Sequence, residues 1–204
     1  MPESIRLSER WYVMIIGDMG VKCKPKGPKV VRLPYTICFC YREDGVLLLL
    51  RARPPNQWRW NGLGGKFLPD ETPRACVRRE VLEEAGIDLA HSPDWHFGGG
   101  VTWNAGDDPT SASRGMYVYI AELPADMAPW AEERVTSEGV LAWKPLAWVC
   151  VSGNAAVVSN IAHFLPEMLR GNIPCVYACT YCLGQLIRVR RLALSDDVCT
   201  VAAV

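Results

Sequence analysis

The sequence has no long hydrophobic run and no excess of either charge. Its longest aliphatic run, from Val46 to Leu50, is far shorter than the ~20 apolar residues that a transmembrane helix needs, and no apolar signal-peptide core follows Met1. Lys and Arg (22 residues) balance Asp and Glu (22 residues), so no overall field attracts a nucleic acid polymer or an anionic membrane. We therefore expect a soluble cytoplasmic protein that would bind phosphates only at a local site.

The cysteines lack a regular spacing. The nine cysteines do not follow the closely spaced, even-numbered pattern of a disulfide scaffold, which predicts reduced and mostly buried thiols. Cys179 and Cys182 form a CxxC pair inside a stretch that is typical of a β-strand. No second Cys or His pair at zinc-ligand spacing accompanies them, so a zinc or redox role for this pair is disfavoured.

Length and local composition predict a single domain with two extensions. A chain of 204 residues can bury one sizeable core. Residues 1–32 include a Lys-, Pro- and Gly-rich run from Val21 to Lys29, so we predict an N-terminal arm there, either a solvated linker or a segment that touches phosphates. We assign residues 33–190 to the domain and residues 191–204 to a C-terminal tail.

Strand and helix signals alternate irregularly within the predicted domain. A helix is predicted over Thr72–Ala85. Thr72 is a good N-cap, Pro73 suits the first helical position and Gly86 follows the last helical residue. A second helix is predicted from about Ala155 to Leu169. The predicted strands are Tyr35–Tyr41, Val46–Arg51, Gly99–Trp103, Met116–Glu122, Val140–Trp143 and a hairpin over Val176–Arg190. This order indicates an α/β fold with a mixed β-sheet and helices on both faces.

Three glutamates give the first helix an acidic face. At ~100° per residue, Glu80, Glu83 and Glu84 fall within one arc, and we place the packed face on the other side, at Ala75, Val81, Leu82 and Ala85. Like charges at these spacings repel each other, so a cation that prefers hard oxygen ligands, such as Mg²⁺ or Mn²⁺, would stabilise them. A solvated acidic helix face has the same pattern, and the helix alone leaves both interpretations open.

The surrounding residues resemble the signature of the Nudix hydrolase family. The match consists of Gly65, five residues, Glu71, seven residues and then Arg79-Glu80-Val81-Leu82-Glu83-Glu84-Ala85-Gly86-Ile87, and every fixed position agrees. The resemblance implies an α/β/α sandwich with a mixed β-sheet and a loop-helix-loop site. It also implies that Glu80, Glu83 and Glu84 bind Mg²⁺ or act as the base on water, with the Gly65 carbonyl as a further ligand. Arg79 would pair with Glu71 to fix the loop against the helix.

The loop Arg59–Lys66 resembles that of MutT-type Nudix enzymes, which hydrolyse oxidised purine nucleoside triphosphates such as 8-oxo-dGTP. Trp143 and then the stretch from Ser159 to Pro166 follow in the order of the nucleobase pocket in those enzymes. The resemblance implies that Asn61 and Asn160 read the base, that Trp143 stacks on it and that Lys66 is a substrate-binding residue. Alternatively, such asparagines cap turns and a buried Trp belongs to the core. Some mammalian relatives have adjacent aspartates at the Ser159-Asn160 position, so the preferred base stays open.

A further carboxylate is expected after the helix. Glu138 lies in a loop that in Nudix relatives often supplies an additional metal ligand, with Glu132 and Glu133 as alternatives; each of the three also suits a solvated position. The three histidines are isolated in the sequence, and we assign them no role.

Other Nudix substrates and a non-catalytic role remain as alternatives. There is no proline near Thr102 and Trp103, where relatives that act on ADP-ribose have one, and no Ser-Gln-Pro-Trp-Pro run like that of NADH pyrophosphatases. ADP-ribose and NADH are therefore disfavoured as substrates, and ADP-ribose or a dinucleoside polyphosphate is kept as the alternative to an oxidised purine triphosphate. A nucleotide-binding regulator that has lost catalysis is also disfavoured, because all three helix glutamates are present. We expect a small-molecule nucleotide as the partner; the oligomeric state is not predicted.

Overall fold

The structure of the chain is a computed structural model that describes residues 33–104, 113–127, 133–171 and 173–194. The predicted arm over residues 1–32 and residues 195–204 of the predicted tail lie outside the described residues. The described residues form nine strands: β1 Tyr35–Arg42, β2 Gly45–Arg51, β3 Trp60–Asn61, β4 Asp94–Asn104, β5 Ser113–Glu122, β6 Arg134–Val135, β7 Gly139–Pro145, β8 Cys175–Cys182 and β9 Gln185–Ala193. The helices are α1 Pro73–Ala85, α2 Leu146–Val149 and α3 Ile161–Leu169, with a 3₁₀ turn at Leu89–His91.

All of these strands belong to one mixed sheet. Its order is β6-β7-β2-β1-β5-β4-β8-β9, and β3 pairs with β2 outside this path. The pairs β1–β5 and β4–β8 are parallel, whereas the other pairs are antiparallel. The mixed sheet predicted from the irregular order of elements is confirmed.

The sheet has a separate apolar core on each face. Along β2, Val46 and Leu48 pack on the α3 side, whereas Leu47 and Leu49 pack on the α1 side, because successive side chains of a strand point to opposite faces. Both faces of this central strand are covered, which explains its continuous aliphatic run. Helices on both faces of one sheet confirm the predicted α/β/α sandwich.

Helix α3 is shorter than predicted. It begins at Ile161 rather than near Ala155, because the preceding residues bond to β3. Trp60 N–H donates to the Ala156 carbonyl at 2.8 Å, and Val158 N–H donates to the Trp60 carbonyl at 3.0 Å. This pairing uses the backbone groups that a longer helix would need.

Helix α1 has the predicted limits, but a different face is packed. Ala75 is exposed and Leu82 is 50% exposed, although both were predicted to pack. The buried positions are Pro73, Cys76, Val77, Val81, Glu84 and Ala85. The prediction was wrong because it assumed that charged residues lie away from the core, whereas one of the three glutamates lies on the packed face.

In the part of the chain that the structure describes, no helix has the length and apolar character needed to cross a bilayer. The longest described helix is α1, with 13 residues.

Phe164 links α3 to the sheet, and its replacement tests that packing. Its side chain is fully buried and contacts Phe39 edge-on, with 5.7 Å between ring centroids. We expect Phe164→Ala to lower the free energy of unfolding by about 3–5 kcal/mol, because it leaves a cavity that the neighbours fill only in part. Denaturant unfolding monitored by circular dichroism measures the change. Ile173→Ala, at a position that is 85% exposed, is the control and should change stability by less than about 0.5 kcal/mol; equal losses would contradict the α3 packing.

Candidate metal-binding active site

Helix α1 holds the candidate site in a fixed register. Thr72 Oγ1 accepts a hydrogen bond from Ala75 N–H at 3.2 Å, and Pro73 occupies the first turn, where its missing N–H costs nothing. At the other end Gly86 has a φ of 72°, a left-handed conformation that favours glycine at a helix terminus. The capping residues predicted from the sequence therefore set both ends of the helix that carries the three glutamates.

A glycine loop lies directly against this helix. Gly64 N–H donates to Glu84 Oε2 at 2.8 Å. A Cβ atom at Gly65 would lie 2.5 Å from Glu80 Oε1, and one at Gly64 would collide with the Thr36 carbonyl. Glycine at position 64 therefore lets the loop lie against β1, and glycine at position 65 leaves room for the Glu80 carboxylate. The Gly65 carbonyl accepts a hydrogen bond from Thr36 N–H at 2.9 Å, which leaves one lone pair for a further ligand.

Arg79 fastens the loop to the helix. Its guanidinium binds Glu71 with two bonds, from Nε at 2.9 Å and from Nη2 at 3.0 Å. Nη2 also donates to the Lys66 carbonyl at 3.0 Å. Nη1 reaches Glu80 at 2.9 Å and Glu83 at 3.1 Å. The structure thus contains the Arg79–Glu71 pair that the resemblance implies, and it adds three contacts, to the Lys66 carbonyl, Glu80 and Glu83, that the sequence did not indicate.

Arg79 lowers the pKa of Glu71 and opposes the effect of burial on the pKa of Glu80. Hydrogen bonds from Arg79 lower the pKa of Glu71, and they raise the pKa of Arg79 in return. At Glu80, burial raises the pKa, although the bonds from Arg79 act in the opposite direction. Of the carboxylates that touch Arg79, Glu83 has the most exposed side chain, at 58%. Glu71 and Glu80 are therefore the ones that Arg79 compensates inside the protein.

Glu84 is the buried carboxylate of the site. The pKa of Glu84 is raised to about 8, chiefly by burial and also by the charges of Glu80 and Glu138, whereas the Gly64 N–H and the charge of Arg51 lower it in part. The residue is only 9% exposed, and an ionised group at such depth needs a counter-charge. A cation beside Glu84 would supply that charge.

The donor types fit Mg²⁺ or Mn²⁺, although the side chains do not surround a common point. No three Asp, Glu, His or Cys side chains of the described residues converge as metal ligands. Glu80 and Glu83 face Arg79, and Glu84 faces Gly64. Carboxylates and a backbone carbonyl are hard oxygen donors of the kind these ions prefer. A metal ion would compete with Arg79 for Glu80 and Glu83.

The additional carboxylates have different surroundings. Glu138 is half-buried in the turn between β6 and β7, where its carbonyl accepts a hydrogen bond from Ala52 N–H at 2.9 Å. Its charge acts on Glu84. Glu133 forms an exposed ion pair with Lys144 at 3.1 Å, and Glu132 lies outside the described residues. Glu138 is thus the one of the two described candidates that lies within electrostatic range of Glu84.

The two asparagines expected to read a base lie on opposite faces of the sheet. Asn61 is paired with Leu49, so its side chain shares the α1 face. Asn160 precedes α3 and is 5% exposed, and its side chain bonds to Cys179, a residue of the α3-side core. Among the described residues, Asn160 Oδ1 has no hydrogen-bond partner. A buried acceptor without a partner is costly, so Asn160 would gain from a ligand that donates a hydrogen bond.

The structure does not bring Trp143 to Asn160. Trp143 is paired with Leu47 and packs against the core on the α1 side, and the Arg42 guanidinium lies 4.6 Å from its ring centroid. Along β7 it lies four residues from Gly139, or about 13 Å at the rise of a strand. The stacking role expected for Trp143 stays a prediction, and Trp143 would act from the α1 face, which it shares with Asn61 and not with Asn160.

Other aromatic residues lie at the end of the sheet that carries the glycine loop. Tyr35 and Trp103 stack with ring centroids 6.1 Å apart and planes inclined by 25°. Lys66 Nζ is 6.0 Å from the centroid of Tyr35, and a shallow cavity of about 320 Å³ is lined by Leu33, Pro34, Tyr35, Lys66 and Phe67. The sequence analysis missed Tyr35 and Trp103. Their positions at the ends of two predicted strands were the available signal, but only the strand pairing places them side by side.

A polar cluster occupies the same end of the sheet on the α3 side. Asn104 and Tyr181 exchange two hydrogen bonds, with Nδ2 donating to the Tyr181 carbonyl at 2.9 Å and Tyr181 N–H donating to Oδ1 at 2.7 Å. The Tyr181 hydroxyl is 3.4 Å from Ser159 Oγ, the neighbour of Asn160. These contacts tie β4 and β8 to the start of α3.

Comparisons with known proteins agree with this arrangement. The chain matches the family model of the NUDIX domain over residues 31–168. It is 38% identical over 74 residues to diphosphoinositol polyphosphate phosphohydrolase 3-beta of Bos taurus, covering 33% of this chain and 44% of that protein. It is 38% identical over 55 residues to the oxidized purine nucleoside triphosphate hydrolase of Mus musculus, covering 27% of this chain and 35% of that protein. The alignments thus span less than half the length of either relative.

A similar fold is found in a solved structure. The crystal structure of a MutT protein from Bacillus halodurans superimposes with a TM-score of 0.61 and 21% identity, over 77% of this chain and 95% of that one. At this level of identity the likeness concerns the fold alone, and it agrees with the sandwich described above.

The raised pKa of Glu84 predicts that removing its charge stabilises the protein in chelator. Between the ordinary pKa of 4.5 and about 8, unfolding releases the proton that folded Glu84 holds, so wild-type stability falls as pH rises through this window and is level above it. Glu84→Gln keeps the shape but has no such proton. We therefore expect it to be more stable than wild type, by up to a few kcal/mol above pH 8. Unfolding with EDTA at several pH values measures the difference, and a pH-independent difference would contradict the raised pKa.

Proposed function

Because this chain belongs to the NUDIX domain family, we propose that it hydrolyses a phosphoanhydride bond of a nucleoside polyphosphate in a divalent-metal-dependent reaction. The observation that carries the proposal is the buried Glu84 carboxylate beneath the glycine loop, bound by Gly64 N–H and subject to the charges of Glu80 and Glu138. A purely structural helix gains nothing from such a group, because an apolar side chain there would be more stable. Buried acidic groups with strongly shifted pKa values are typical of functional sites.

Each group of the site has a specific part in this proposal. Glu80, Glu83, Glu84, the Gly65 carbonyl and Glu138 would hold Mg²⁺, with Mn²⁺ as a substitute. A bound divalent ion screens phosphate oxygens and lowers the pKa of water. A glutamate that the metal leaves uncoordinated would accept the proton of the attacking water. Arg79 and Glu71 would not touch the substrate; they would keep the Gly64–Lys66 backbone in place above the carboxylates.

We propose an oxidised purine nucleoside triphosphate, such as 8-oxo-dGTP, as the substrate, with nucleoside monophosphate and pyrophosphate as products. Three features support it: the sequence similarity to the oxidized purine nucleoside triphosphate hydrolase of Mus musculus, the buried acceptor of Asn160 and the stacked pair Tyr35–Trp103. Asn160 would accept a hydrogen bond from an N–H of the base, and the aromatic pair would offer a flat surface worth about 1–3 kcal/mol in stacking. Lys66 would bind phosphate, and Asn61 would contact the substrate from the α1 face.

A diphosphoinositol polyphosphate is the second candidate. The alignment with the Bos taurus phosphohydrolase is longer than that with the mouse hydrolase. Arg51 at the end of β2 acts on Glu84 through its charge, and Arg53 and Arg59 lie in the loop that connects β2 to β3. Several cations would suit a densely phosphorylated ring. This substrate has no base, so Asn160 would then be irrelevant to recognition.

Steady-state kinetics with Mg²⁺ separate these candidates. The panel is 8-oxo-dGTP, dGTP, 2-hydroxy-dATP, ADP-ribose, a dinucleoside tetraphosphate and a diphosphoinositol polyphosphate. We expect the highest kcat/KM for an oxidised purine triphosphate. Turnover of the inositol compound or ADP-ribose alone would keep the phosphoanhydride chemistry and refute the proposed base pocket, whereas tight nucleotide binding without turnover would indicate a regulator.

The metal-site assignment predicts a large loss of activity on removing one carboxylate. Glu84→Gln should reduce kcat by at least about 100-fold, because both a charge for the cation and a proton acceptor are affected. Glu133→Gln is the matched control, since Glu133 forms only an exposed ion pair, and its activity should stay within about twofold of wild type. A Glu84→Gln protein with normal kcat would refute the site.

Arg79 provides an independent prediction. Arg79→Lys retains the positive charge but cannot bind Glu71 through two bonds while reaching Glu80 and the Lys66 carbonyl. We expect kcat to fall about tenfold or more with little change in KM, because the loop is displaced but no substrate contact is lost. A change in KM alone would instead indicate that Arg79 binds substrate.

A further inference from the structure

A buried thiol lies at the junction of the glycine loop, helix α1 and strand β1. Cys76 is fully buried on the packed face of α1, and Thr36 of β1 is 2% exposed. The Thr36 hydroxyl donates to Cys76 Sγ at 3.2 Å, and the Cys76 thiol donates to the Lys66 carbonyl at 3.5 Å. A continuous chain of hydrogen bonds therefore runs from the sheet, through the helix, to the loop residue that follows Gly65.

The same carbonyl is a contact of the organising arginine. Arg79 Nη2 donates to the Lys66 carbonyl at 3.0 Å and lies 3.7 Å from Cys76 Sγ. The Lys66 carbonyl thus receives two donors from successive turns of the same helix. Without the thiol, Arg79 alone would hold it.

Thr36 is connected to the loop twice. Its N–H donates to the Gly65 carbonyl at 2.9 Å, while its hydroxyl acts through Cys76. The Thr36 carbonyl also lies close enough to Gly64 to exclude any side chain there. One residue of β1 therefore limits the position of Gly64, Gly65 and Lys66 together.

We propose that Thr36 and Cys76 form a positioning pair that holds the Gly64–Lys66 backbone at the height required by Glu80 and Glu84. The inference rests on the proposed function, but it concerns residues that touch neither the metal nor the substrate. A loop free to rise by a few tenths of an ångström would move Gly64 N–H away from Glu84 and the Gly65 carbonyl away from the cation. The pair therefore acts on kcat and on divalent-metal affinity, and it leaves KM for the nucleotide unchanged.

The first experiment is a double-mutant cycle on kcat. Thr36→Val removes the bond to the thiol with nearly the same volume, whereas Cys76→Ala removes both bonds of the chain and leaves a space the size of one sulfur atom. Each should lower kcat by about three- to tenfold, as expected for one buried hydrogen bond. The kcat of the double variant should be no lower than that of the less active single variant. Thr36→Ser and Cys76→Ser retain a hydroxyl and should each restore more than half of the loss. Cys182→Ser, at an exposed thiol, is the control and should equal wild type.

Losses in kcat that multiply in the double variant would overturn the proposal, because they would show that the two residues act separately. A rise in KM with unchanged kcat would also overturn it. If Thr36→Val or Cys76→Ala fails to fold, the serine variants still test the proposal. A kcat close to that of wild type in both serine variants agrees with the pair, and a loss of about three- to tenfold in both contradicts it.

Metal binding gives a readout that does not depend on hydrolysis. Titration with Mn²⁺, followed by electron paramagnetic resonance, should show a three- to tenfold weaker Kd in Thr36→Val and Cys76→Ala and no change in Cys182→Ser. If wild type hydrolyses nothing in the substrate panel, the proposed function fails, and the Mn²⁺ titration still tests the positioning pair. Equal Mn²⁺ affinity in all variants would overturn the pair even if the hydrolase assignment holds.

Discussion

Burial of the Glu84 carboxylate is the constraint around which the site is built. An ionised carboxylate loses its hydration inside a protein, and only nearby donors or cations can replace it. Here the replacement is partial, because Gly64 N–H donates a hydrogen bond while Glu80 and Glu138 add like charge. The loop that donates this bond lies against both β1 and the helix, where a side chain at position 64 would meet the Thr36 carbonyl and one at position 65 would meet the Glu80 carboxylate. A divalent cation would balance the excess of negative charge.

On the outer side of helix α1, Arg79 supplies the positive charge that compensates several carboxylates. Three carboxylates and one carbonyl share a single guanidinium, so the loop and the helix cannot separate without breaking several charged bonds at once. Burial of apolar side chains in the two cores, one on each face of the sheet, is the main source of stability of the domain. The packed sheet therefore stabilises the domain, and the charged cluster at its end can include groups whose burial lowers stability.

The residues proposed to bind the substrate lie on both faces of the sheet. Asn61 shares the α1 face with the glutamates, whereas Asn160 and Ser159 lie on the α3 face beside Tyr181. The pair Tyr35–Trp103 stands at the same end of the sheet. A ligand that reaches both the carboxylates and Asn160 must therefore pass around the end of the sheet, as an extended molecule with phosphates at one end and a ring at the other would do.

The limits of α1, the central hairpin, the mixed sheet and the family could be predicted from local patterns, because caps, strand alternation and a motif of fixed spacing are local properties. The buried side of α1, the start of α3 and the aromatic residues near the loop became known only from the folded chain. Glu84 is buried because a loop approaches it, α3 is shortened because Val158 bonds to Trp60, and Trp143 lies far from Asn160 because of its place on β7. Each of these outcomes depends on a partner that is remote in the chain, and local patterns do not identify remote partners.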